Sequence, residues 1–72
     1  MTKEKVLNKI GNRVVAAREK QNLSQSDLAR LTGKDRQSIH RLEKGQINIS
    51  VFYLSEVAAA LNTTLSELTN ID

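Results

Sequence analysis

Asn22, Gly33, Gly45 and Asn62 punctuate a 72-residue chain that is otherwise helix-periodic from end to end. Glycine enters the left-handed backbone region without a Cβ clash and asparagine enters it at low cost, so each is a natural helix stop. Between the stops the apolar residues recur at helical spacing. Val6, Ile10, Val14 and Ala17 mark one face of a first helix over about 4–21. Ser24 with Asp27 starts a second, whose apolar side holds Leu28, Ala29 and Leu31 and which Gly33 ends. Asp35 caps a third, with Ile39 and Leu42 inward and Gly45 closing it. Ser50 opens a fourth bearing Leu54, Val57, Ala58 and Leu61, and Thr64 with Glu67 forms a capping box for a short fifth bearing Leu65 and Leu68. The segment INISVFY, residues 47–53, alternates like an edge strand, but the chain offers no second strand to pair with it. The expectation is an all-α fold of five helices in one domain, residues 1–72.

Size and composition exclude several function classes. A chain this short buries only about 60% of its unfolded surface, which leaves no room for a deep enclosed active site. It contains no Cys and one His, so neither a disulfide framework nor a metal centre is expected. Its apolar runs fall far short of the roughly 20 residues that span a bilayer, and no charged-then-apolar leader precedes the first helix. A soluble cytoplasmic protein is expected, with no membrane, cofactor or small-molecule ligand. The net charge of +3 is unevenly placed: residues 1–44 carry all 11 Lys and Arg and are six positive, whereas residues 45–72 are three negative. One half is built to meet an anion.

The third helix shows how. At about 100° per residue, Arg36, Gln37, His40 and Arg41 share a face roughly 140° wide, while Ile39 and Leu42 point the other way. Lys and Glu would solvate a helix equally well. Two guanidiniums and a carboxamide instead match the donor and acceptor edges of guanine and adenine in a major groove. Backbone clamps surround this face: the free N–H groups at the start of the second helix with Ser24 and Gln25, then Ser38, Lys34 in the turn and Lys44 at the end of the third helix.

The pattern LSQxDLAxxxG followed by QSIxxLExG resembles the helix-turn-helix of lambdoid phage repressors, Cro proteins and Xre-type regulators, with Gln25, Leu28, Ala29, Gly33, Ile39, Leu42, Glu43 and Gly45 at the matching positions. The likeness runs through YLSEVAAALNTTLSEL and covers about residues 8–69, with the motif at about 24–45. It implies a five-helix lambda-repressor-like fold with the motif at helices two and three. Carried to this chain, it implies that Gln25 contacts a phosphate, that Arg36, Gln37 and Arg41 occupy base-reading positions, and that His40 touches a base or a phosphate. It also implies an ion pair between Arg18 and Glu43, which suits the place of Glu43 at the edge of the inward face.

The resulting expectation is a sequence-specific regulator, a repressor or autoregulator acting at the nucleoid on a pseudo-palindromic double-stranded operator. It would work as a homodimer through residues 46–72, where Ile47, Ile49, Val51, Phe52 and Ile71 exceed the needs of one small core. Phe52 and Tyr53 suit core or dimer packing better than base stacking. The rival is an antitoxin or adaptor of the same fold whose exposed helix meets a protein. A hydrolase built from Ser38, His40 and Asp35 lacks a cleft and an oxyanion site, and the narrow RNA major groove would exclude a reading helix.

Overall fold

The computed structural model describes residues 1–71. Five helices follow one another: α1 Lys3–Lys20, α2 Gln25–Thr32, α3 Arg36–Glu43, α4 Val51–Ala60 and α5 Leu65–Leu68. Each begins at a Ser, Thr or Asp whose side chain accepts a backbone N–H of the first turn: Thr2, Ser24, Asp35, Ser50 and Thr64. The reciprocal capping box forms at Ser24 and Asp27. At Thr64 only the forward half of the expected box is present, with Thr64 Oγ1 accepting from the Glu67 N–H at 3.1 Å. All four stop residues have positive φ: Asn22 at 58°, Gly33 and Gly45 at 69°, Asn62 at 56°.

One core unites the helices. Val14 of α1, Leu28 of α2, Ile39 of α3, Val57 of α4, Leu61 at the end of α4 and Leu68 of α5 are almost wholly enclosed. Residues 47–50 form a connection without strand pairing and Val51 already belongs to α4, so the β-rich composition of INISVFY yields to the cap at Ser50. Ile47, Ile49 and Ile71 pack against the core, which accounts for three of the five apolar residues that looked surplus. Val51 and Phe52 remain 71% and 72% exposed. Leu31 is 56% exposed instead of inward. On a helix of two turns, Leu28 and Ala29 fill the inner face and Leu31 is left at its border.

Gly11 decides how α1 meets α3. It is buried, and a Cβ built there would lie 2.4 Å from the Glu43 carbonyl oxygen and 2.8 Å from that of Leu42. Only a residue without a side chain lets the two backbones approach this closely. Gly45 adds to the same seam, its virtual Cβ falling 2.9 Å from the Asn8 backbone nitrogen. The tail closes onto α1 as well, since Arg13 donates from Nε and Nη2 to the Asn70 carbonyl at 3.1 and 2.8 Å.

Gly11→Ala separates two opposed effects. Helix propensity alone would favour Ala by about 1 kcal/mol, whereas overpacking against backbone atoms costs about 1–3 kcal/mol or more. The clash should win, and thermal melts should show Gly11→Ala unfolding several degrees below the parent chain. An equal or higher melting temperature would refute the close approach.

Candidate nucleic-acid interface

The turn between α2 and α3 follows from local chemistry. Gly33 takes the left-handed cap and donates back to the Arg30 carbonyl at 3.4 Å, and the Lys34 N–H returns to Ala29 at 3.0 Å. Asp35 then starts α3, its Oδ1 accepting the Ser38 N–H at 2.7 Å. Ala29 is buried in the angle, where its small side chain lets α2 and α3 pack closely.

On α3 the inner side holds Ile39, Leu42 and Glu43, all buried. The outer side carries Arg36, Gln37, His40 and Arg41, all exposed. Among the described residues the side chains of Arg36, Gln37 and Arg41 make no intramolecular hydrogen bond or ion pair. Three long donor-rich side chains thus stand on a helix whose opposite side is locked in the core. Lys44, the residue after α3, is exposed beside them.

Glu43 is the one buried charged residue in the described core, at 6% exposure. Arg18 of α1 holds it side-on, Nε to Oε2 at 2.6 Å and Nη2 to Oε1 at 3.1 Å, and spends Nη1 on the Leu23 carbonyl at 2.8 Å. The hydrogen bond to Glu43 raises the Arg18 pKa above its ordinary value, so the guanidinium stays charged. Gln25 at the start of α2 completes the set, Nε2 donating to Glu43 Oε1 at 2.9 Å and lying 3.5 Å from His40 Nδ1. Three helices therefore meet on one carboxylate.

The five residues expected at phosphates divide. Ser24 is exposed; its hydroxyl oxygen accepts the Asp27 N–H at 3.0 Å and keeps its own proton to give. Lys44 faces solvent, while Gln25 is half-buried and tied to Glu43. Lys34 and Ser38 contact α4. The Lys34 ammonium sits 3.4 Å from Glu56 Oε1 and 4.7 Å from the centre of the Tyr53 ring, and the Ser38 hydroxyl pairs with that of Tyr53. Glu56 Oε1 accepts no hydrogen bond among the described residues, and the Lys34 ammonium is the cation that compensates its charge.

An open polar groove joins Gln25, Arg36, His40 and Lys44 to Asn8, Asn12 and Val15 of α1. The α1 residues escaped the sequence reading because Asn carries no charge signature; only their position next to Gly11 and Arg18 around α1 hints at the neighbourhood. Among the described residues no group of three or more His, Asp and Glu could hold a metal ion, and no helix is long and apolar enough to cross a membrane.

An all-α unit that presents its third helix outward behind a glycine turn is the architecture of a helix-turn-helix regulator. The chain belongs to the helix-turn-helix family HTH_3 of DNA-binding transcription regulators, whose pattern matches residues 14–68. It is similar in structure to the restriction-modification controller protein C.AhdI from Aeromonas hydrophila, at 39% identity and a TM-score of 0.83 over 86% of this chain and 90% of that one. It is also similar to the hypothetical transcription factor NHTF from Neisseria, at 25% identity and a TM-score of 0.87 over 96% and 79%. The same fold recurs in hydroxypropylphosphonic acid epoxidase from S. wedmorenis, at 21% identity and a TM-score of 0.85, where it matches 35% of that chain. That last likeness is one of fold alone. No curated protein matches the chain significantly.

Removing one partner of a buried ion pair strands the other, at about 3–5 kcal/mol. Glu43→Ala should therefore melt far below the parent chain, and an unchanged melt would dismiss the pair as a structural tie. Acid should expose a second effect. Asp27 is held below its ordinary pKa of 3.8, chiefly by the Ser24 backbone N–H and further by the Ser24 hydroxyl and Arg30. A carboxylate depressed on folding stabilises above the unfolded-state pKa and loses that contribution as pH falls through the folded one. Acid titrations followed by circular dichroism should show Asp27→Asn less stable near neutrality and less sensitive to pH below about 4.

Proposed function

We propose that the protein is a homodimeric, sequence-specific double-stranded-DNA-binding regulator of transcription that reads the major groove with α3. One observation carries the proposal: Arg36, Gln37 and Arg41 are exposed and unpartnered on a helix whose other side is fixed by Ile39, Leu42 and the buried Glu43. A helix backbone already fixed in the core needs no reordering on docking, and guanidinium and carboxamide groups supply the bidentate geometry that tells bases apart. His40 lies within the same groove as Arg36 and Lys44. Lys44, Ser24, Gln25 and the N–H groups at the start of α2 are the phosphate contacts that set the register.

The control of a restriction-modification system is the context the likeness to C.AhdI favours, because 39% identity extends over nearly the whole of both chains. The protein acts in the cytoplasm, at the nucleoid, without enzymatic activity. One recognition helix contacts too few bases for a genome-wide search, so two copies on a pseudo-palindrome supply the rest. Val51 and Phe52, exposed at the start of α4 in the half that lacks Lys and Arg, are the apolar anchors of that dimer. Half-sites then lie about 34–36 Å apart.

Selection of binding sites from random duplexes with the purified protein tests the proposal directly. Arg41→Ala should cost about 1–3 kcal/mol and relax preference at one or two positions of the selected site. Lys44→Ala should weaken all sequences alike and lower the log-log salt slope by about one unit. Equal losses on selected and random DNA for both variants would reduce α3 to a basic face. In sedimentation, Phe52→Lys should shift the parent dimer to monomer and abolish tight binding to the full site; a parent chain that is monomeric at micromolar concentration yet binds a lone half-site tightly would rule out the dimer.

A further inference from the structure

The Ser38–Tyr53 hydroxyl pair stands apart from the features already described, because it links the reading helix to α4 by a polar contact near the start of α3. Helix α3 packs mainly against α1 and α2. The Glu43 carboxylate secures its C-terminal end to both of them, through Arg18 and Gln25. Ile39 and Leu42 lock one side of this two-turn helix in the core, but their apolar contacts are non-directional and define its rotation less sharply than a hydrogen bond does. Ser38 lies five residues before Glu43, which places the two side chains about 140° apart around the axis and about 7.5 Å apart along it. Directional bonds at both places fix that rotation.

Tyr53 is itself braced. Lys34, the first residue after the turn glycine, lies 4.7 Å over its ring and reaches Glu56 one turn further along α4. The Ser38–Tyr53 contact is partly buried, as are the Lys34 and Glu56 side chains. One side of α4 thus grips both the turn and α3.

We propose that Tyr53 is a positioning residue for base recognition: through the Ser38 hydroxyl it sets the rotation of α3 and hence the aim of Gln37 and Arg41. Gln37 adjoins Ser38 in sequence and Arg41 follows it by one turn, so a roll that releases Ser38 swings both. Phosphate contacts at Lys44 and Ser24 tolerate such a roll better than bidentate base contacts, whose geometry is narrow. The inference rests on the base-reading role assigned to α3.

The test compares binding to the duplex selected by the parent protein with binding to random duplex, each over a range of salt. Tyr53→Phe deletes one oxygen and keeps the ring, so melting should remain cooperative and binding to random DNA should stay within about twofold, with an unchanged salt slope, because no charge is lost. The ratio of selected to random affinity should fall about fivefold, which corresponds to the lower end of one lost bidentate contact. Ser38→Ala should lower the ratio equally, and the double variant should lose nothing more, as for two partners of one bond. Tyr53→Phe that keeps the parent ratio, that weakens both duplexes alike, or whose effect simply adds to that of Ser38→Ala would overturn the positioning role. A parent protein that shows no sequence preference at all would instead overturn the base-reading role of α3, and the positioning role with it.

Discussion

A carboxylate buried at the C-terminal end of α3 is the demand around which the other helices are arranged. Glu43 faces two penalties there: desolvation, and the negative end of its own helix dipole. Both are offset only if a cation and further donors reach it from outside α3. Arg18 comes from α1 and Gln25 from α2, so satisfying one side chain fixes the relative placement of three helices. Gly11 makes the geometry attainable, since any side chain at that point of α1 would strike the backbone of residues 42 and 43. Whether such a pair adds net stability over an apolar substitute is a separate matter. Its directional bonds give what a purely apolar seam lacks, a defined register between α1 and α3.

That register matters because α3 is too short to be a helix by itself. Isolated helices of fewer than about 12 residues are marginal in water, and α3 has eight. Its shape and orientation therefore belong to its neighbours. Ile39 and Leu42 hold it radially, Asp35 closes its first turn, and the Glu43 cluster holds its last. With these constraints in place, Arg36, Gln37 and Arg41 need no partner within the fold and are available to one outside it.

Charge is distributed to the same end. The basic excess of residues 1–44 looks in the sequence like a single anion-seeking half, but the fold pairs some of its cations internally and leaves others exposed. Arg18 is consumed by Glu43, Arg13 by the Asn70 carbonyl and Lys34 by Glu56. Arg36, Arg41 and Lys44 remain exposed on or just beyond α3. The acidic half supplies one of the neutralising groups and otherwise carries an apolar surface at Val51 and Phe52.

Local chemistry alone determined where helices begin and end. A Ser, Thr or Asp side chain can accept only N–H groups a few residues ahead, and a left-handed Asn or Gly terminates whatever precedes it, so the caps and stops were legible without knowledge of the fold. The inward face of α3, and with it the outward set of Arg36, Gln37, His40 and Arg41, followed from the same 3.6-residue period. Three things were settled by the tertiary structure. INISVFY has the composition of a strand, yet a strand requires a partner and none exists among the described residues, so Val51–Tyr53 joined α4. Gly11 sits inside a helical pattern that its sequence neighbours explain fully, and only the approach of α3 shows why no other residue fits. The neighbours of Lys34 and Ser38 were the third, because direction in space is set by packing: α4 brings Tyr53 to the Ser38 hydroxyl and the half-buried Glu56 to the Lys34 ammonium.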